Sequence, residues 1–111
     1  MDNVKNSISG VTASAITDTN AVELIPAQGG ETAVHITALT VTNSDASVGT
    51  EVQLLNGATV RWTGFASSAG GGFTLTFPSP LKGAANTAWS VKAVTTSAEV
   101  LASVAGYKSI L

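Results

Sequence analysis

Apolar and polar positions alternate with a period of two along most of this 111-residue chain, and a helical period is hard to find. VELI (22–25) leads into PAQGGET, a link rich in turn formers. AVHITALTVTN (33–43) sets Val34 and Ile36 on one face, then Leu39 and Val41 on the other. That phase slip predicts a bulge or bend, or a strand buried on both sides for part of its length. In TEVQLLNGATVRWTGF, Asn56-Gly57 separates two alternating runs and marks a tight hairpin, because Asn-Gly tolerates positive φ. The return run opposes Val60 and Trp62 to Arg61 and Thr63.

Further on, GGFTLTFP opposes Phe73, Leu75 and Phe77 to Thr74 and Thr76, and Pro78 and Pro80 are expected to end the strand. AWSVKAVTT opposes Trp89, Val91 and Ala93 to Ser90 and Lys92, and EVLASVAGYKSIL closes the chain with Val100, Ala102 and Val104. Seven or eight short strands at roughly 8–14-residue spacing predict a single all-β domain, a sandwich or barrel. The glycines 70–72 sit before a strand and without a Gly-Lys-Ser/Thr, so they form a turn and not a phosphate cradle. Residues 1–12 alternate weakly and are expected to form an extended N-terminal arm, with the β-sandwich domain over 13–111.

Charge narrows the function. Only 11% of the residues are charged and the net charge is −2, while mean hydropathy is +0.32. Soluble domains ordinarily carry about a quarter charged residues, so the surface must be largely Thr, Ser, Asn, Gly and Ala, which suits packing against neighbours. Lys5, Arg61, Lys82, Lys92 and Lys108 are scattered. No basic patch exists to neutralise phosphates, and no nucleic-acid partner is expected. No apolar run approaches the ~20 residues of a membrane helix, and no membrane partner is expected. The start lacks a basic lead and an apolar block, so no secretory signal is expected, and Met1 points to little having been cut away. Without cysteine there is neither a disulfide framework nor a thiolate zinc site.

Candidate chemistry is sparse. His35 is the single histidine and lies mid-strand, where a solvated or locally bonded ring is the expectation. The acids are dispersed, and Asp18 and Asp45 fall in turn contexts that favour capping of backbone amides. No catalytic residue, metal site or cofactor is expected. A small β hydrolase would need the fold to bring an acid to His35. Trp62 and Trp89 are in phase with apolar neighbours and are expected in the core. A carbohydrate-binding module would instead need one of them exposed.

The candidates for partner contact are arms, termini and loop charges: Val4, Lys5, Ile8, Arg61, Lys82, Ile110 and Leu111. An apolar terminus such as Ile110-Leu111 lies either in the domain's own sheet or on another chain. Arg61, opposite in phase to Trp62, is expected to be solvated, with an ion pair to an acid of another subunit as the alternative.

Over residues 40–107 the Asn-Gly hairpin, GGGF, FPSPLKG and SVAGY together resemble the small virion proteins of tailed bacteriophages. The similarity is to the capsid decoration (cement or staple) proteins, including the type found in epsilon15-like podoviruses. It implies a jelly-roll-like antiparallel β-sandwich without catalytic function. It also implies binding to the major capsid protein of the same virus, on the outer capsid surface, after synthesis in the host bacterial cytoplasm. A homo-oligomer, dimer or trimer, would brace capsomer junctions. The same texture occurs in tail and fibre domains, so a carbohydrate- or receptor-binding β-sandwich module is the alternative.

Overall fold

The computed structural model describes residues 6–110. Eight strands form in order: β1 (Ser7–Val11), β2 (Val22–Ile25), β3 (Thr32–Asn43), β4 (Thr50–Asn56), β5 (Thr59–Ala66), β6 (Gly71–Leu81), β7 (Trp89–Ala93) and β8 (Val100–Ile110). They make two antiparallel four-stranded sheets, β1-β8-β3-β6 and β2-β7-β4-β5. The expected all-β sandwich is therefore present. Strands pair in a nested series, β4 with β5, β3 with β6, β2 with β7 and β1 with β8. Only β4→β5 stays within one sheet; every other connection crosses to the opposite sheet.

Why β3 changes phase is now physical. Its register against both β6 and β8 shifts between Ile36 and Ala38, leaving Thr37 as the extra residue of a bulge. The Thr37 hydroxyl donates to Ala105 O (3.2 Å) and occupies the gap. Because the bulge resets the two-residue period, Val34, Ile36, Leu39 and Val41 all enter one core. With them pack Ile25, Val52, Leu54, Trp89, Val91, Val100 and Val104. Trp89 is fully buried and its indole N–H donates to Val34 O (2.8 Å), so the polar end of a large core side chain is satisfied. Trp62 is half-buried, its ring 4.9 Å from that of Phe73.

Four expectations need correction. Residues 7–11 of the expected arm are β1, which pairs with β8 from Ser7↔Tyr107 to Val11↔Ser103. Alternate small polar residues suffice there, because an edge strand needs only one buried face. Residues 1–5 lie outside the described residues. Secondly, β6 continues through Pro78 and Pro80 to Leu81. It lies at a sheet edge, where a missing N–H need not break a ladder. Thirdly, the hairpin loop is Gly57-Ala58, closed by Asn56↔Thr59. Only Gly57 has positive φ (61°), which suits a type II′ turn. Lastly, alternation in β5 fails at Arg61, the extra residue where the register shifts between Leu54 and Leu55. Of the three glycines expected in a turn, Gly70 ends it with φ 91°, whereas Gly71 and Gly72 already belong to β6, where a Cβ on Gly72 would lie 2.0 Å from Val41 O.

Asn43 closes one end of the sandwich. It is fully buried. Its Nδ2 donates to Val48 O (2.8 Å) and Ala66 O (3.1 Å), and its Oδ1 accepts from the N–H groups of Asp45 (3.1 Å) and Glu99 (3.1 Å). One amide thus ties the β3→β4, β5→β6 and β7→β8 connections together. Replacing it by alanine orphans several buried backbone groups, each costing about 1–3 kcal/mol. Asn43→Ala is expected to lower stability by about 3 kcal/mol in equilibrium urea unfolding. A loss below about 1 kcal/mol would show that water replaces the amide and that the staple is dispensable.

Candidate interaction surface

Sandwich ends differ in charge because the connections at each end carry different residues. The β1→β2, β3→β4 and β7→β8 connections supply Asp18, Asp45 and Glu99, and Glu51 stands near that end of β4. Lys92 is the base among them. At the other end lie Lys82, Lys108 and Arg61, with Glu31 and, one pair in along β2, Glu23 as acids. With extents of 45 × 23 × 21 Å, the domain is an elongated body, acidic at one end and basic at the other.

At the acidic end, Asp45 accepts from the backbone N–H of Ser47 (3.0 Å) and Val48 (2.7 Å). These bonds hold its carboxyl below the ordinary range. Buried Thr50 accepts from the N–H groups of Val94 (3.2 Å) and Thr95 (3.0 Å) and donates to Glu51 O (3.0 Å). On the outer face beside these loops stands Phe65, 65% exposed, directly opposite Glu51 in register. Val94, 45% exposed, extends the pairing on the far side of Glu51 through its N–H to Glu51 O (3.0 Å). The Phe65 ring lies along Gly49, where a Cβ would come within 2.9 Å of its Cζ. An exposed aromatic held on a rigid strand beside a charge has the chemistry of an interface anchor.

The basic end is locked by side chains reaching into the 82–88 connection. Arg61 donates to Lys82 O, and its guanidinium lies 5.9 Å over the Trp89 ring. Asn56 accepts from Ala84 N–H (2.8 Å) and donates to Ala88 O (3.4 Å). His35 Nδ1 accepts from Gly83 N–H (3.2 Å), and its ring stands edge-on to Tyr107 at 5.2 Å. Gly83 is required there, since a Cβ would lie 2.3 Å from Val34 O and 2.9 Å from Trp89 Nε1. A shallow depression of about 510 Å³ beside this cluster is lined by Ser7, Thr37, Gly106 and Tyr107.

Several contact candidates are taken up by the fold itself. Arg61, expected to be solvated, is half-buried and braces the 82–88 connection through its bond to Lys82 O. Ile8 packs against the core. β8 lies inside the domain's own sheet, between β1 and β3. Its Ile110 is 81% exposed at the basic end, near exposed Lys82. Val4, Lys5 and Leu111 lie outside the described residues. His35 is buried and locally bonded, not solvated, and its resolved charge neighbour is Lys82 rather than an acid. No group of three or more metal-ligating side chains occurs among the described residues. Phe65 escaped the sequence reading, although its phase, opposite to Trp62, was available to find it.

Searches of protein-family models, curated proteins and solved structures return no match to this chain.

The His35 contact makes stability depend on pH. Burial, and then the charge of Lys82, lower the His35 pKa from its ordinary 6.5. Between the two values the unfolded chain binds more protons, so stability rises with pH across that window. The contribution is complete above 6.5 and is lost as pH falls through the folded-state value. Asp45 acts in a separate window, losing its contribution below the ordinary carboxyl value of 3.8. Unfolding midpoints are expected to fall on acidification below pH 6.5 in the native chain, and less steeply in His35→Phe. Equal slopes would remove His35 as the titrating latch.

Proposed function

We propose that this protein is a structural virion protein that binds the outside of an assembled phage capsid and stabilises capsomer junctions. The observation that carries the reading is Phe65, a largely exposed aromatic beside Glu51, with exposed Val94 on the far side of that acid, on a face whose adjoining loops are stapled by Asn43 and Thr50. Such a face needs little ordering on binding, so more of the contact energy appears as affinity. The nested strand pairing is that obtained by rolling up one long hairpin, the jelly-roll arrangement found in viral capsid proteins and lectins. Together with the resemblance of residues 40–107 to decoration proteins, it favours a shell partner.

Cementing follows from mass action. A ligand that binds only the assembled, expanded lattice stabilises that state by its binding free energy. Repetition over symmetry-related sites makes a modest single contact effective. The alternative, a carbohydrate- or receptor-binding module of a tail or fibre, loses Trp89 as a sugar platform because that ring is fully buried. It retains Tyr107 at the rim of the polar depression.

Co-sedimentation with immature and expanded shells tests the proposal. Saturable binding to expanded shells is expected, and Phe65→Ser should weaken it about tenfold or more while leaving the unfolding midpoint unchanged. Absence of binding to either shell would overturn the decoration reading. Glycan binding abolished by Tyr107→Ala, with the fold intact, would replace it with the alternative.

A further inference from the structure

The outer face of the β1-β8-β3-β6 sheet is unlike the rest of the surface. Its outward positions are Ser7, Ser9 and Val11 on β1, then Leu101, Ser103, Ala105 and Tyr107 on β8. β3 adds Ala38, Thr40 and Thr42, while His35, in the same phase, is buried, and β6 adds Gly72, Thr74 and Thr76. None is an Asp, Glu, Lys or Arg, and the Thr40 and Thr74 hydroxyls bond to each other (3.4 Å). The opposite sheet turns Glu23, Glu51 and Lys92 outward. Desolvating the first face therefore buries no full charge, and Val11 and Leu101 already stand 68% and 40% exposed on it.

We infer that this face pairs with the same face of a second copy, strands antiparallel, about a two-fold axis near Ser9 and Ala105. Charge selects that arrangement. A two-fold axis along the strands would set acidic end against acidic end. An axis across them sets the Asp18, Asp45 and Glu99 end of one copy against the Lys82, Lys108 and Arg61 end of the other.

Shape agrees with charge. Ser7 and Val11 lie equally far from Ser9 along β1, as Tyr107 and Ser103 do from Ala105 along β8. The antiparallel axis therefore places Val11 of one copy opposite Ser7 of the second. Ser7 and Tyr107 line the 510 Å³ depression, so an apolar projection meets a hollow at both ends of the contact. Four strands about 4.8 Å apart, over roughly ten residues of about 3.3 Å, offer a face on the order of 500 Å² in projection. Accessible area exceeds projected area, which brings it near the ~800 Å² per partner of a standard interface. The contact is isologous and closed, so it ends at two copies.

Sedimentation equilibrium of the purified full chain, without shells, tests this separately from the decoration reading. A dimer is expected at micromolar concentration. Ala105→Glu brings two carboxylates together at the axis and should raise the dissociation constant at least about tenfold. Thr76→Lys, on the exposed edge of the same face, provides the same test should Ala105→Glu unfold the chain. Raising salt from about 0.05 to about 0.5 M should weaken the dimer several-fold, because opposite charges attract across it. Glu99→Lys and Lys108→Glu should each weaken it, and together restore it towards the native value. A monomer at about 100 µM, a trimer, or a dimer indifferent to the folded face variants would overturn the inference. A dimer that tightens with salt would overturn the antiparallel arrangement.

Discussion

Crossing between sheets is the constraint on which the rest of this structure depends. Each time the chain leaves one sheet for the other, its backbone donors and acceptors leave a ladder and must find other partners. With all connections but β4→β5 crossing, loop backbone accumulates at both ends of the sandwich. Buried polar side chains at strand ends meet that demand. Asn43 and Thr50 serve one end, and Asn56, His35 and Trp89 the other. Among the described residues, no buried side-chain nitrogen or oxygen is left without a partner. Loops held this way behave as parts of a rigid body, a property a lattice-binding protein needs and a disordered loop lacks.

The same economy explains why so few polar groups are free for chemistry. The His35 ring is committed to Gly83 N–H, the Asp45 carboxylate to its own turn, and the Arg61 guanidinium to Lys82 O. The features left exposed are surfaces. Two distinct ones emerge: Phe65 and Val94 on one sheet, and the uncharged face of the other. They lie on opposite sides of the sandwich, so a self-paired protein would keep its Phe65 sites facing outward. On the decoration reading proposed above, a pair of such sites would bridge two subunits of a shell.

Much of the architecture is legible in the residue order, because a two-residue period is a local property of the chain. The period alone assigns all-β class, and in β6 it separates Phe73, Leu75 and Phe77 from Thr74 and Thr76 as the burial does. It also exposes the slip in β3 that the Thr37 bulge resolves. The sparsely charged, cysteine-free composition likewise shapes the expectations about partners before any coordinates are considered. Where the local pattern misleads, an edge or a bulge is responsible. Pro78 and Pro80 look like strand stops until β6 is placed at a sheet edge, and Arg61 looks solvated until the β5 bulge turns it towards Trp89.

What the chain's order determines by itself is thus the class, most of the strands and most of the inward faces, since each depends on neighbours two residues apart. Which strands pair, which ends share a charge, and what Asn43 joins depend on contacts between residues tens of positions apart. Glu99 reaches Asn43 across 56 residues and Gly83 reaches His35 across 48. No periodicity carries such distances. Only the closed sandwich gathers most of the described acids at one end and most of the described bases at the other, and leaves one whole sheet face without charge.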